Sequence, residues 1–223
     1  MNAVKAWSFS AWAAYDNCPL AYYLEKVKKV AKITSPAMER GNIIHKELAS
    51  FVMGNLGDVM PTIIHPKVKY VYDEMRRFPA ESKLVEQQWG FTKQWTPTGW
   101  FGNDTWFRAV LDVALLYEDM SGEAVDHKTG KRYEDNDDQM EVFGAAFLCK
   151  YPPATEVQTR LVYVESGDEV TRVYKRADVP SILAKWNRKV EPMFNDITWA
   201  PKPNKRCRYC MFNRDNGGQC RFA

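Results

Sequence analysis

Two aspartates and a lysine in the middle of the chain have the residue types and spacing of a metal-binding site. Asp112 follows the apolar pair Val110-Leu111, and Asp126 and Lys128 stand in a second strand-like segment with one residue between them. Side chains alternate along a strand, so Asp126 and Lys128 share one face while His127 points to the other. A hairpin between the two segments can bring Asp112 beside that face.

This grouping predicts hydrolytic chemistry at a phosphate. Two carboxylates form an oxygen-rich pocket for a hard cation such as Mg²⁺, which keeps some of its waters. Such an ion activates a bound water as nucleophile and neutralises charge that builds on the phosphate. A lysine ammonium can orient that water and stabilise the same charge. An isolated Asp-x-Lys tripeptide is more often a surface ion pair, so these residues alone do not decide the function.

The cysteines suggest a second site. The chain has five, an odd number that argues against a simple disulfide framework. Cys207, Cys210 and Cys220 cluster near the end, and Cys18 could join them as a fourth ligand. Four thiolates can bind tetrahedral Zn²⁺ or an iron–sulfur cubane, and the spacing does not choose between the two. The fifth, Cys149, is predicted to be a buried core residue.

The net charge of +3 conceals an asymmetry. Between Asp112 and Glu141 ten carboxylates accompany three Lys or Arg, a local balance of −7 that leaves +10 on the rest of the chain. Much of the positive charge lies in residues 26–46 and 185–221. An acidic centre between basic arms fits a protein that holds cations in a site and a polyanion around it. Ordinary solvated faces would give the same pattern.

The elements that must position these residues follow from hydrophobic periodicity and from capping and turn residues. Ser10 is the predicted N-cap of the first helix. The predicted helices cover residues 10–24, 41–53, 67–77, 136–150 and 179–194, and the predicted strands cover 84–95, 105–117, 123–128, 156–165 and 169–175. Helices around a central mixed sheet give an α/β class.

The ends of the chain and its hydropathy predict a cytoplasmic protein without a membrane segment. No run of 18 or more apolar residues occurs in the sequence, as a membrane-spanning helix would require. The first residues lack the apolar stretch and cleavage site of a signal peptide.

Two further residues extend the pattern formed by the central aspartates and lysine. His45 lies four residues after Gly41 in a predicted helix, and Gln139 opens the helix that follows Asp126 and Lys128. With them the chain resembles the RecB-like branch of the PD-(D/E)XK nuclease superfamily. That branch shows a Gly-x-x-x-His helix, a strand-ending Asp, an Asp-x-Lys-Thr-Gly strand and a Gln-x-x-x-Tyr helix, in this order. The resemblance covers most of the chain, although residues 54–104 carry little of it.

The resemblance implies a restriction-endonuclease-like fold and a role for each matching residue. His45, Asp112 and Asp126 would be metal ligands, with the backbone carbonyl of His127 as a fourth. Lys128 would be the catalytic lysine, and Gln139 would place the DNA strand or the lysine. The His127 side chain is expected to be partly exposed. Glu86 and Glu47 lie within reach of the site but are not assigned to it.

Two positions depart from the family pattern. Phe143 stands where the family usually has Tyr, and Ala109 stands where many relatives have Gly. Neither departure removes a predicted ligand, so activity should survive. Both put the preference for a DNA strand in doubt.

The cysteines are similar to those of RecB-like nucleases with an iron staple, a group that includes the CRISPR-associated exonucleases. These proteins carry one Cys before the nuclease motifs, typically followed by Pro as Cys18 is here, and three near the C-terminus. The resemblance therefore implies a [4Fe–4S] cluster on Cys18, Cys207, Cys210 and Cys220, with Zn²⁺ as the alternative. It would join residues 1–30 to residues 200–223 within one nuclease domain, 1–223. Phosphate contacts are expected from the nearby cations Lys205, Arg206, Arg208 and Arg214.

Together, these expectations predict a DNA exonuclease that depends on Mg²⁺ or Mn²⁺ and acts on single strands or free ends. The chain lacks a helicase motif, so a helicase or recombination partner would have to unwind duplex DNA. Recombination, CRISPR adaptation and phage DNA metabolism are all compatible pathways. The alternative function is a non-catalytic nucleic-acid-binding module with a structural zinc site.

Overall fold

A six-stranded mixed sheet in the spatial order β2-β1-β3-β4-β5-β6 forms the centre of the protein. The structure is a computed structural model that describes residues 4–30, 35–130 and 136–222. The strands are β1 (Lys83–Phe91), β2 (Pro97–Thr98), β3 (Phe107–Leu116), β4 (Ser121–Lys128), β5 (Glu156–Tyr163) and β6 (Asp168–Lys175). The α-helices are α1 (Phe9–Asn17), α2 (Pro19–Tyr22), α3 (Pro36–Val52), α4 (Lys69–Arg77), α5 (Asn136–Lys150) and α6 (Val179–Asn195). The predicted α/β class, a mixed sheet flanked by helices, is confirmed.

Shorter helical turns complete the chain. They are a π-helical turn at Tyr23–Val27 and 3₁₀ turns at Pro66–Val68, Ala80–Ser82, Arg176–Asp178, Lys205–Tyr209 and Arg214–Asn216. In the described part of the chain, no helix is long and apolar enough to cross a membrane. The predicted basic stretch 26–46 and the predicted cluster segments 1–30 and 200–223 lie partly outside the described residues.

Strand order brings the two predicted aspartate segments side by side. β3 and β4 form an antiparallel hairpin in which Val113 pairs with Val125. β4 and β5 run parallel, and parallel neighbours need a crossover connection. α5 provides that crossover and packs against the sheet through Val142 and Phe147. The start of α5 is thereby placed beside the end of β4.

Each face of the sheet carries its own apolar core. α1, α5 and α6 cover one face, and α3 and α4 cover the other. In β3, Ala109 and Leu111 belong to the first core, whereas Val113 and Leu115 belong to the second. Residues two apart in a regular strand stay on one face, so the strand changes face at Asp112. That position is where the predicted site lies.

The first predicted helix was wrong in its extent. Ser8, not Ser10, caps α1 by accepting a hydrogen bond from the Ala11 backbone N–H. The helix ends at Asn17, and the backbone of the next residue, Cys18, is extended (φ −163°, ψ 107°). The reason is Pro19, because a proline ring disfavours helical geometry in the preceding residue. Cys18 therefore stands at a break between two helices.

Two other boundaries differ from the predictions for local reasons. α3 begins at Pro36 rather than Gly41 because the Ser35 side chain caps it by accepting from the Met38 N–H, and proline suits the first helical position. β1 ends at Phe91 because the chain turns back through Trp95, whose φ is 62°. The short strand β2 that follows was not predicted.

Candidate active site

Asp112 connects three elements at the point where β3 changes face. Its side chain is buried, and Oδ2 accepts a hydrogen bond of 2.7 Å from the His127 backbone N–H on β4. Its Oδ1 lies 3.2 Å from Nδ1 of His45 on α3. Ile44 and Leu48 anchor that helix in the core, which leaves His45 half-buried beside the sheet. The structure therefore brings the predicted residues His45 and Asp112 into contact.

Glu86 completes a set of possible metal ligands. Among the described residues, His45, Glu86 and Asp112 form the one group of three or more His, Cys, Asp or Glu whose ligand atoms all lie within 4.8 Å of one another. Glu86 falls opposite Asp112, between the flanking pairs Val85–Val113 and Gln87–Leu111. Its φ of 52° is in the left-handed region, where a non-glycine residue is strained. Such strain is typical of functional sites.

The spacing of these groups fits one ion. Metal–ligand bonds of about 2.1 Å in an octahedron place neighbouring ligand atoms about 3 Å apart. The 3.2 Å between His45 Nδ1 and Asp112 Oδ1 matches that edge. One nitrogen and two carboxylates would leave coordination positions for water or a phosphate oxygen.

Asp126, Lys128 and Gln139 form a second group at the end of β4 and the start of α5. Lys128 Nζ lies 2.6 Å from Asp126 Oδ2 and donates a 2.7 Å hydrogen bond to Gln139 Oε1. Gln139 Nε2 in turn donates to Asp126 Oδ1 at 2.7 Å. The three predicted residues thus form a closed triangle, in which α5 fixes the lysine. Asp126 does not belong to the His45–Glu86–Asp112 group, and its role as a ligand stays a prediction.

The carboxyl groups of the site differ in the direction of their pKa shifts. Burial opposes ionisation of Asp112, but the hydrogen bond with His45 and the neighbouring His127 lower its pKa. Burial raises the pKa of the Glu86 carboxyl, and the neighbouring Asp112 raises it further. Burial also raises the pKa of Asp126 and outweighs the effect of the Lys128 ammonium. The hydrogen bond to Asp112 raises the pKa of His45 against the opposing effect of burial. A bound cation would reverse the upward shifts of the carboxyls, since its charge favours their ionised forms.

The expected partial exposure of the His127 side chain was wrong, because it is only 2% exposed. The alternation that places Asp126 toward α5 turns His127 to the face covered by α3 and α4. Its Nδ1 lies 3.1 Å from Tyr72 Oη. Burial lowers the pKa of the imidazole to about 4, so the ring is neutral at pH 7. The predicted part of its backbone carbonyl in metal binding stays a prediction.

A cleft of about 1140 Å³ opens beside Lys128 and Gln139. Among the described residues that line it, five are Lys or Arg and none is Asp or Glu; the cations are Lys5, Lys26, Lys29, Arg108 and Lys128. Phe143 and Ala109, the two departures from the family pattern, also line this cleft. Lys26 and Lys29 belong to the basic stretch 26–46, whereas no local pattern indicated a contribution of Lys5 or Arg108, because distant segments assemble the cleft.

The predicted cysteine ligands line a separate cavity of about 40 Å³. Cys18, Cys207, Cys210 and Cys220 all contribute to it. The adjoining backbone is fixed by two bonds between the chain ends: Lys202 Nζ donates to the Asp16 carbonyl at 2.6 Å and Asn204 Nδ2 donates to the Asn17 carbonyl at 3.0 Å. Cys149 does not line this cavity; it is half-buried against the core, and burial raises the pKa of its thiol to about 11.

The four cations predicted to contact phosphates lie on the C-terminal segment. Lys205, Arg206, Arg208 and Arg214 are exposed. None of them lines the cleft beside Lys128, whereas Arg206 lines the cysteine cavity. Their role in DNA binding stays a prediction.

Two solved structures are similar to the chain, and the first of them supports the fold. SSO0001 superposes with a TM-score of 0.50 at 13% sequence identity, covering 98% of this chain and 87% of its own. A protein from Eubacterium rectale named "Putative exonuclease" gives a TM-score of 0.49 at 14% identity, covering 94% of this chain and 88% of its own. No curated protein matches the sequence.

The match to a family profile is more specific than these structural similarities. The profile of the PD-(D/E)XK nuclease superfamily matches residues 6–214, a range that includes the ligand group, the Asp126–Lys128–Gln139 triangle and every strand of the sheet. The chain belongs to the PD-(D/E)XK nuclease superfamily.

Proposed function

We propose that the protein is a metal-dependent DNA exonuclease that acts on single strands or free ends. The observation that carries this proposal is the cleft, whose lining includes five cations and no described carboxylate. It leads to Lys128 and Gln139. Their common partner Asp126 lies close enough to Asp112 and His45 for the charges of both to act on its pKa. A polyanion in this cleft would therefore present a phosphate to the site.

The donor set fits Mg²⁺ or Mn²⁺. His45, Glu86 and Asp112 would hold the ion, with Asp126 and the His127 carbonyl as further candidates. When bound, the ion would supply a Lewis acid and activate a water. Lys128 would hold its ammonium beside the phosphate and stabilise the negative charge that develops there. Gln139 would keep that ammonium in place, since its amide bonds both Lys128 and Asp126.

At the four cysteines we propose a [4Fe–4S] cluster, as the family resemblance implies, with a single zinc ion as the alternative. All four line one cavity, yet among the described residues no three of their sulfurs lie within 4.8 Å of one another. Zn–S bonds of about 2.3 Å would place tetrahedral sulfurs only about 3.8 Å apart. A cubane spans sulfurs that stand further apart, because each binds a different iron. The cluster would join residues 1–30 and 200–223 within a single domain and serve a structural purpose.

The basic residues of the C-terminal segment are part of the same proposal. Lys205, Arg206, Arg208 and Arg214 would extend the positive surface beyond the cleft and contact phosphates. A helicase or recombination partner would deliver unwound DNA. CRISPR-type processing and repair both supply such substrates.

The exonuclease proposal predicts a difference between linear and circular single-stranded DNA. Linear strands are expected to be degraded to short products with Mn²⁺, while circular strands of the same sequence survive, because an exonuclease needs an end. Gel electrophoresis of the two substrates over time measures this, with EDTA as the control that removes the metal. Equal degradation of both would indicate an endonuclease, and no degradation of either would contradict the proposed function.

Glu86→Gln is expected to weaken Mn²⁺ binding about tenfold, a loss in line with the removal of an electrostatic interaction of about 1.4 kcal/mol. The amide keeps the size of the side chain but loses its charge. Calorimetric titration of the DNA-free protein with Mn²⁺ measures the affinity. Glu47→Gln is the matched control, because Glu47 lies two residues from His45 on α3 but is exposed and outside the ligand group. Equal affinities for the Glu86 variant and the unaltered protein would exclude Glu86 as a ligand.

A further inference from the structure

Two aromatic rings stand at the tip of the turn between β2 and β3. Phe101 is 83% exposed, and Trp100 packs edge-on against it with ring centroids 6.5 Å apart at 88°. The Arg108 guanidinium lies 5.5 Å from the centroid of each ring. A single exposed aromatic ring is common on protein surfaces. Two rings that both pack against one guanidinium form a more organised aromatic surface.

Hydrogen bonds hold this turn in one shape. The Gly99 carbonyl accepts from the Thr105 hydroxyl at 2.7 Å and from the Gly102 N–H at 3.1 Å. Arg108 Nε donates to the Trp100 carbonyl at 2.9 Å. Gly90 on β1 packs so closely that a Cβ there would lie 2.5 Å from the Gly99 carbonyl oxygen. The rings are thus presented in a fixed position, which lowers the entropy cost of binding.

The aromatic turn is continuous with the cleft. Trp100 and Arg108 line the same cleft as Lys128. Trp7 lines it too, and its buried indole N–H has no hydrogen-bond partner among the described residues. A bound polyanion with flat, apolar groups would contact the cations and the rings together, whereas an acidic peptide would leave the rings without stacking partners.

We propose that Trp100, Phe101 and Arg108 form a platform on which unpaired DNA bases stack as the strand enters the cleft. This inference rests on the proposed nuclease function and gives it a substrate class, single-stranded DNA. Bases in a duplex already stack on one another, whereas an unpaired base has free faces for an aromatic ring or a guanidinium.

Equilibrium binding of labelled oligothymidine and of a labelled duplex, measured by fluorescence anisotropy, tests the platform. Phe101→Ala is expected to weaken binding of the single strand roughly tenfold, as the loss of one stacked base would, and to leave binding of the duplex unchanged. Phe101→Trp is expected to restore the single-strand affinity. Phe222→Ala is the matched control, because that ring is also exposed but lies outside the turn in which Phe101 packs against Trp100 and Arg108. Phe101 is so exposed that its removal should not affect folding, which the melting temperature checks.

Unchanged single-strand affinity in the Phe101→Ala variant would overturn the proposal, and so would equal losses for single strand and duplex. The titrations are done in EDTA, where the proposed reaction cannot occur, so their outcome does not depend on catalysis. Failure of the unaltered protein to cleave any DNA with Mn²⁺ would instead contradict the proposed function.

Discussion

Lys128→Ala is expected to lower the rate of DNA cleavage by roughly 10²–10³-fold, the usual effect of removing one group that stabilises charge in the transition state. The ammonium is fixed by Asp126 at 2.6 Å and Gln139 at 2.7 Å. No other side chain of this triangle carries positive charge, so none can replace it. Single-turnover cleavage of linear single-stranded DNA with Mn²⁺ measures the effect.

Lys185→Ala is the matched control for this substitution. Lys185 also pairs with a carboxylate, Glu141 at 2.8 Å, but it does not line the cleft. Its replacement should leave the rate unchanged. The Lys128→Ala variant should retain its fold, because burial already raises the pKa of Asp126 and the carboxyl can take up a proton when its partner is removed. Normal cleavage by Lys128→Ala would remove Lys128 from the mechanism.

Cys18→Ala is expected to abolish cluster binding and to destabilise the protein by about 3 kcal/mol or more, because metal binding contributes directly to folding. For a chain of this size that corresponds to a fall of about 6 °C or more in melting temperature. The unaltered protein, purified without oxygen, should be brown and contain about four irons. Iron analysis and thermal unfolding of the variant measure the loss.

Cys149→Ala is the control, because it removes a cysteine thiol that is not a predicted cluster ligand. Cys149 is partly buried but does not line the cavity shared by the other four cysteines, so its variant should keep its iron. Unchanged iron in Cys18→Ala would exclude Cys18 as a ligand. One zinc per chain and no colour in the unaltered protein would contradict the cluster and favour a zinc site.

Periodicity and order along the chain predicted the parts of the site that depend on local geometry. The common face of Asp126 and Lys128 follows from the alternation of a strand, whereas Gln139 was assigned a role only through the family resemblance. The same alternation turned His127 away from them, but local sequence does not say that α3 and α4 bury the opposite face. Its partial exposure was therefore predicted wrongly.

Features that depend on pairing between distant segments could not be predicted. Glu86 reaches Asp112 only because β1 and β3 pair in one register and both change face at this level. Nothing in the residues around Glu86 encodes that register. The cleft likewise draws Lys5, Lys29 and Arg108 from separate segments, so their common location could not be predicted from local sequence.

The left-handed backbone at Glu86 places stability and catalysis in competition at a single position. The left-handed conformation destabilises the folded state by about 1–2 kcal/mol for most L-residues. Gly avoids this penalty and Asn reduces it. A library randomised at position 86 and sorted by thermal stability would therefore enrich these two residues. The selected variants would lack one carboxylate of the candidate metal site. Selection for thermal stability alone would therefore yield stable proteins with an impaired metal centre.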